Sequence, residues 1–143
     1  MKKRKGKGQG AVLVVEDDPG IHRLFQKALS PQGQVALQAS SGEEALKFLQ
    51  REEVAVVILD IFIPGMGGIK TLKEIKKRFP HLPVIILTGF GTLETAKESM
   101  LLGAYDYITK PFDLELVKSL ICQAMKGVSL EEPTRRSLKK KVV

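Results

Sequence analysis

Short apolar runs alternate along this chain with stretches in which apolar residues recur every three or four positions. The most apolar run, Val54 to Leu59, has six consecutive apolar residues, β-branched at Val56, Val57 and Ile58, and leads into Asp60 and then Pro64. That pattern predicts a strand buried on both faces, with a proline that stops it. Ala11 to Val15, Pro83 to Leu87 and Ala104 to Ile108 read as three more strands, and the weakly alternating Gln34 to Ala39 as an edge strand.

Between the strands, helical spacing is clear. Ile21, Leu24, Phe25, Ala28 and Leu29 mark one helix, opened by Asp18 as N-cap with Pro19 at its first position and closed by Gly33. Ser41 with Glu44 predicts a capping box for a second helix, with Ala45, Leu46 and Leu49 inward. Ile69, Leu72, Ile75 and Phe79 mark a third, with Lys70, Lys73, Lys76 and Lys77 on its outer side. A fourth runs from about Thr92 to Leu102 and stops at Gly103. Leu116, Val117, Leu120, Ile121, Ala124 and Met125 give the last, closed by Gly127. Five strands alternating with five helices through short loops imply an α/β fold, a doubly wound parallel sheet covered on both faces.

Charge divides the chain into three parts. Of the net +7, residues 1–9 carry +5, residues 126–143 carry +4, and the remainder carries −2. Residues 1–10 are therefore expected to be a disordered basic tail, 11–126 the folded domain, and 127–143 a basic tail or linker remnant. The mildly acidic domain argues against a nucleic-acid face, and such contact by the tails is not expected. Gly6, Gly8 and Gly10 precede the first strand, so they cannot form a phosphate loop, which must follow one. The lone Cys122 excludes an internal disulfide, and neither a secretory leader nor a membrane-length apolar run is present, so the cytoplasm is the expected location. Cys122, His22, His81, Met66 and Met100 carry no metal or nucleophile motif. The histidines read as surface residues and the methionines as packing residues.

Open parallel sheets bind ligands beyond the carboxyl ends of their strands. There this chain places Asp17 and Asp18 after the first strand, Asp60 after the third, Thr88 after the fourth and Lys110 after the fifth. Each has an ordinary explanation alone: a helix cap for an aspartate before proline, a strand-end hydroxyl, a solvated lysine. Together they form a coherent set. Crowded carboxylates repel unless a counter-charge is present, and oxygen donors suit Mg²⁺, which takes one or two carboxylates and pairs with phosphate oxygens. Lys110 and Thr88 add an ammonium and a hydroxyl, the groups that stabilise a transferring phosphoryl group.

The stretches VLVVEDDP, LDIFIPGM, LTGFG and GAYDYITKPF, in that order, make residues from about Ala11 to Met125 resemble the receiver domain of two-component response regulators. The TGFGTLETA and YDYITKPF segments resemble receivers attached to transcriptional activators. The resemblance implies a flavodoxin-like three-layer sandwich with strand order 2-1-3-4-5. It implies that Asp60 accepts a phosphoryl group from a sensor histidine kinase, and that Asp18, Asp60 and the backbone carbonyl of Phe62 ligate Mg²⁺ (or Mn²⁺), with Asp17 acting through bound water. Thr88 and Lys110 would hold the phosphoryl oxygens, Lys110–Pro111 would be cis, and Thr88 with Tyr107 would form a switch in which the tyrosine rotates inward. The face made by the fourth helix, fifth strand and fifth helix would then meet a downstream protein, an output domain or a second copy. Phe62 and Phe90 would flank the path of attacking water and slow hydrolysis. Ile63 and Gly67 depart from the common Met and Asp of the family without touching the chemistry.

Such a domain catalyses only its own phosphorylation and slow dephosphorylation. Three other functions fit these residues less well. A haloacid-dehalogenase-like phosphatase needs a second acid two residues beyond its aspartate, where Phe62 stands, and a flavin site after the first strand would be repelled by Glu16, Asp17 and Asp18. A non-catalytic interaction module, or one associated with nucleic acid through the tails, would have no need of the whole acid and lysine set.

Overall fold

The computed structural model describes residues 10–127. Apart from Gly10 and Gly127, the tails expected at either end lie outside the described residues. The elements follow in order: β1 (Ala11–Val15), α1 (Pro19–Leu29), β2 (Val35–Ala39), α2 (Gly42–Arg51), β3 (Val56–Leu59), α3 (Gly68–Arg78), β4 (Val84–Thr88), α4 (Leu93–Leu101), β5 (Asp106–Thr109) and α5 (Leu114–Met125). All strand pairs are parallel, in the order β2-β1-β3-β4-β5. The fold is therefore the doubly wound α/β sandwich that the alternation of elements implies.

Period-two alternation in β1 builds both cores. Leu13 and Val15 join Val57, Leu59, Val84 and Ile86 beneath α2 and α3, while Val12 and Val14 join Val56, Ile58, Ile85 and Leu87 beneath α1 and α5. Each central strand is thus apolar on both faces, which is why its sequence reads as an unbroken run.

Element ends differ from the sequence reading by local chemistry. The third strand begins at Val56 rather than Val54, and the fifth runs from Asp106 to Thr109 rather than from Ala104 to Ile108. Helix α1 stops at Leu29, and a 3-10 turn over Ser30–Gln32 separates it from Gly33, whose φ of 77° supplies the left-handed exit. Ser41 caps α2 through the Glu44 N–H at 3.2 Å, but the Glu44 carboxylate accepts from the N–H of Ser40 at 2.7 Å, one residue before the position of a capping box. A reciprocal box is found instead at α4, between Thr92 and Thr95. Gly68 is required by contact: a Cβ there would overlap the main chain of Asp60 and Ile61, so only glycine lets α3 start against the end of β3.

Candidate functional site

Asp60 follows β3, and its N–H continues the ladder to Val15 O at 3.1 Å. Its backbone is thereby held by the sheet. The side chain is 8% exposed; Oδ1 accepts from the Phe62 N–H at 3.0 Å and Oδ2 lies 3.3 Å from Lys110 Nζ. Lys110 follows β5, where its N–H donates to Thr88 O at 2.8 Å, and the Lys110–Pro111 peptide is cis. Its ammonium reaches a second carboxylate as well, Glu16 Oε1 at 2.9 Å.

Glu16 is the member of the rim cluster that the sequence alone did not single out. It continues β1 through an N–H bond to Ala39 O at 3.0 Å and is 4% exposed. Burial raises its pKa above the usual carboxylate value, with the Asp60 charge adding to the effect and Lys110 opposing it. Burial alone would lower the Lys110 pKa, but bonds and charge from Glu16 and Asp60 outweigh it and the net shift is upward. The ammonium is the counter-charge that lets two buried carboxylates share one rim.

Asp18 is placed differently from its expected ligand role. Its carboxylate caps α1, with Oδ1 accepting from the Gly20 N–H at 2.8 Å, and the residue is exposed. Its N–H donates to Glu16 Oε2 at 3.3 Å. The acid register is therefore shifted by one: Glu16 and Asp60 meet at Lys110, and Asp17 follows Glu16 as an exposed residue of the loop after β1. The signal was available in part, since Asp18 before Pro19 already reads as a cap, and a cap commits the carboxylate to backbone N–H groups. His22 also departs from expectation. It is 5% exposed, not a surface residue, and its Nε2 lies 2.7 Å from Glu16 O. His81 is exposed.

Thr88 is fully buried, and its hydroxyl accepts from the Phe90 N–H at 3.4 Å. Tyr107 is 6% exposed, with its hydroxyl 2.8 Å from Thr95 Oγ1 on α4. The ring thus already lies inside, where the resemblance had it arrive by rotation. A Cβ at Gly91 would overlap that hydroxyl, so the loop before α4 closes over the tyrosine only because residue 91 is glycine. Phe62 and Phe90 stand over the rim edge to face, with ring centroids 5.6 Å apart and planes at 80°.

Among the described residues, no three His, Cys, Asp or Glu side chains converge into a ready metal cluster. The donor set nevertheless fits Mg²⁺: it is all oxygen, and that ion takes only one or two carboxylates and keeps its waters. Among the described residues, no helix is long and apolar enough to cross a membrane.

Fold and site together define the class, a doubly wound α/β protein whose acids and lysine converge at the carboxyl rim of its sheet. The response regulator receiver domain model matches residues 12–121, and the chain belongs to that family. It is 40% identical over 134 residues, 92% of its length and 28% of the relative's, to a putative response regulator NtrX-like of Rickettsia bellii (strain RML369-C). It is 36% identical over 127 residues to the DNA-binding transcriptional regulator NtrC of Escherichia coli (strain K12), covering 89% of this chain and 27% of that one. The chain therefore spans less than a third of these relatives. Among solved structures, the receiver domain of NtrX from Brucella abortus superposes with a TM-score of 0.75 at 35% identity, covering 80% of this chain and 98% of that one.

Proposed function

We propose that Asp60 is the acceptor of a phosphoryl group delivered by a sensor histidine kinase. The observation that carries the reading is the Glu16–Lys110–Asp60 cluster at the strand-end rim, with Lys110 2.9 Å from one carboxylate and 3.3 Å from the other. In the reaction a carboxylate oxygen of Asp60 forms a bond to phosphorus, the phosphorus–nitrogen bond of the donor phosphohistidine breaks, and the departing imidazole takes up a proton. The product is an acyl phosphate on Asp60. Its ammonium partner stays beside the incoming oxygens, and the Thr88 hydroxyl lies at the end of the adjoining strand.

Mg²⁺ or Mn²⁺ would be held by Asp60, Asp17 and the Phe62 carbonyl, with Asp17 in the place first given to Asp18 and Glu16 acting through bound water in the place first given to Asp17. When bound, the ion supplies neutralising charge for acids and phosphoryl oxygens alike. Phe62 and Phe90 slow hydrolysis by keeping water from the acyl phosphate. The double variant Phe62→Asn with Phe90→Glu loses its label faster than the parent, and equal decay rates exclude this role. The domain turns over no separate substrate.

Added charge of about −1.5 to −2 at Asp60 changes what the rim prefers. Thr88 and Tyr107 relay that change to the face of α4, β5 and α5, where an output domain, a downstream protein or a second copy docks. NtrC, a DNA-binding transcriptional regulator by name, supports a transcriptional output; the cytoplasm is where such an output would act. Intact mass after incubation with acetyl phosphate and Mg²⁺ tests the reading: one phosphoryl mass is gained by the parent and none by Asp60→Ala. No gain in the parent refutes it.

A further inference from the structure

The acid and lysine cluster is anchored by a side chain outside it. His22, on α1, has its Nε2 2.7 Å from the main-chain oxygen of Glu16. A carbonyl oxygen only accepts, so the imidazole donates and Nε2 carries the proton. Its Nδ1 is buried without a hydrogen-bond partner among the described residues. In the neutral ring this leaves only a lone pair unmatched, whereas a proton moved to Nδ1 would bury a donor with no acceptor and break the bond to Glu16. Burial thus selects one tautomer. A buried polar group that leaves half of its bonding capacity unused calls for an explanation in its surroundings.

That explanation lies at the other end of the bond. The main chain of Glu16 is gripped on one side by Ala39 O of β2, at 3.0 Å, and on the other by His22. Its carboxylate meets Lys110, and Lys110 meets Asp60. His22, Phe25 and Leu29 are the buried residues of α1, so the packing that seats the helix also seats the imidazole.

We propose that His22 is a positioning residue for phosphotransfer: by fixing the main chain at Glu16 it keeps the Glu16 carboxylate on Lys110 and Lys110 within reach of Asp60. The proposal rests on the reading of Asp60 as phosphoacceptor and deepens it, since His22 itself touches no reacting atom.

The test uses the full chain with phosphoramidate and Mg²⁺, following initial rates by intact mass over a range of donor concentrations. His22→Leu keeps an apolar side chain in the buried site without the donor; His22→Gln returns an N–H near the place of Nε2. His22→Leu lowers the maximal rate about tenfold, as small misplacements of reacting groups do, while half-saturation by donor stays at the parental value. His22→Gln recovers most of that rate. In metal-free buffer the amide resonances of Glu16, Asp17 and Asp18 shift in His22→Leu and return in His22→Gln. In a Glu16→Ala background the same change costs less than about twofold, because coupled residues are not additive. Thermal melts establish that the variants fold, and His22→Met replaces His22→Leu if the latter does not.

A folded His22→Leu protein with parental rates overturns the proposal. So does a loss that His22→Gln leaves unrepaired, or one that persists in full without Glu16. A parent that takes up no phosphoryl group refutes the acceptor reading and this proposal with it; the metal-free spectra then tell that outcome apart from a failure of the His22 anchor alone.

Discussion

Helices α4 and α5 flank the same strand, β5, and are held to the domain in very different ways. Helix α5 buries Val117, Leu120, Ile121 and Ala124 in the core beneath the sheet. Helix α4 buries only Ser99, whose hydroxyl has no hydrogen-bond partner among the described residues, while Leu93 and Leu101 stand 61% and 88% exposed. Its contribution to the core comes from the partly buried Ala96 and Met100. Apolar area removed from water is what attaches a helix to a sheet. One helix is therefore fastened, and the other is held chiefly by its caps, by marginal contacts and by the Tyr107–Thr95 bond.

The contrast predicts a graded series of effects. Leu120→Ala in α5 costs about 2–5 kcal/mol, the range for emptying a packed site, read from urea unfolding. Met100→Ala in α4 costs less, about 1–2 kcal/mol, because a half-exposed side chain leaves little cavity behind; equal losses at the two sites would abolish the distinction. Tyr107→Phe removes one hydrogen bond and costs about 1 kcal/mol, and amide exchange speeds up in α4 while α5 keeps its protection. Ser99→Ala, which deletes a buried hydroxyl lacking a partner, is neutral or stabilises by up to about 1 kcal/mol.

The weakest effect in the series is a pH dependence set at the rim. Because the folded pKa of Glu16 is raised, the folded state holds its proton more tightly than the unfolded state does. The Glu16 contribution to stability therefore falls as pH rises from the ordinary carboxylate value of 4.5 through the raised one. Unfolding in metal-free buffer across that window shows a downward slope in the parent that Glu16→Gln lacks. Lys110, also shifted upward, acts in the alkaline range: its contribution is present below 10.5 and is lost as pH climbs through the folded value.

Much of this arrangement is legible in the sequence itself. The apolar run before Asp60 marks the central strand, and Asp18 before Pro19 marks the start of α1, because both signals are local. Glu16 escaped notice because its burial is decided far along the chain, and His22 because the buried stripe of its helix lies elsewhere than the apolar spacing suggested. Glu16 is buried against Lys110, 94 residues away, and the stripe on α1 turns out to centre on His22, Phe25 and Leu29 rather than on Ile21 and Leu24. A histidine in a helix carries no mark of which way it faces. The three consecutive acids likewise look equivalent until one is seen capping a helix and another lying against a lysine.

The Phe62 and Phe90 rings remain 52% and 73% exposed even as they touch. A donor the size of acetyl phosphate is too small to cover them and gains nothing from their oily surface. On the proposed role of Asp60, a protein donor that brings its own phosphohistidine would lay part of its surface over that pair, and each Å² of apolar area hidden there would contribute roughly 25 cal/mol to the encounter. On that same proposal, the two side chains assigned to slowing hydrolysis would therefore also favour a macromolecular courier over a metabolite.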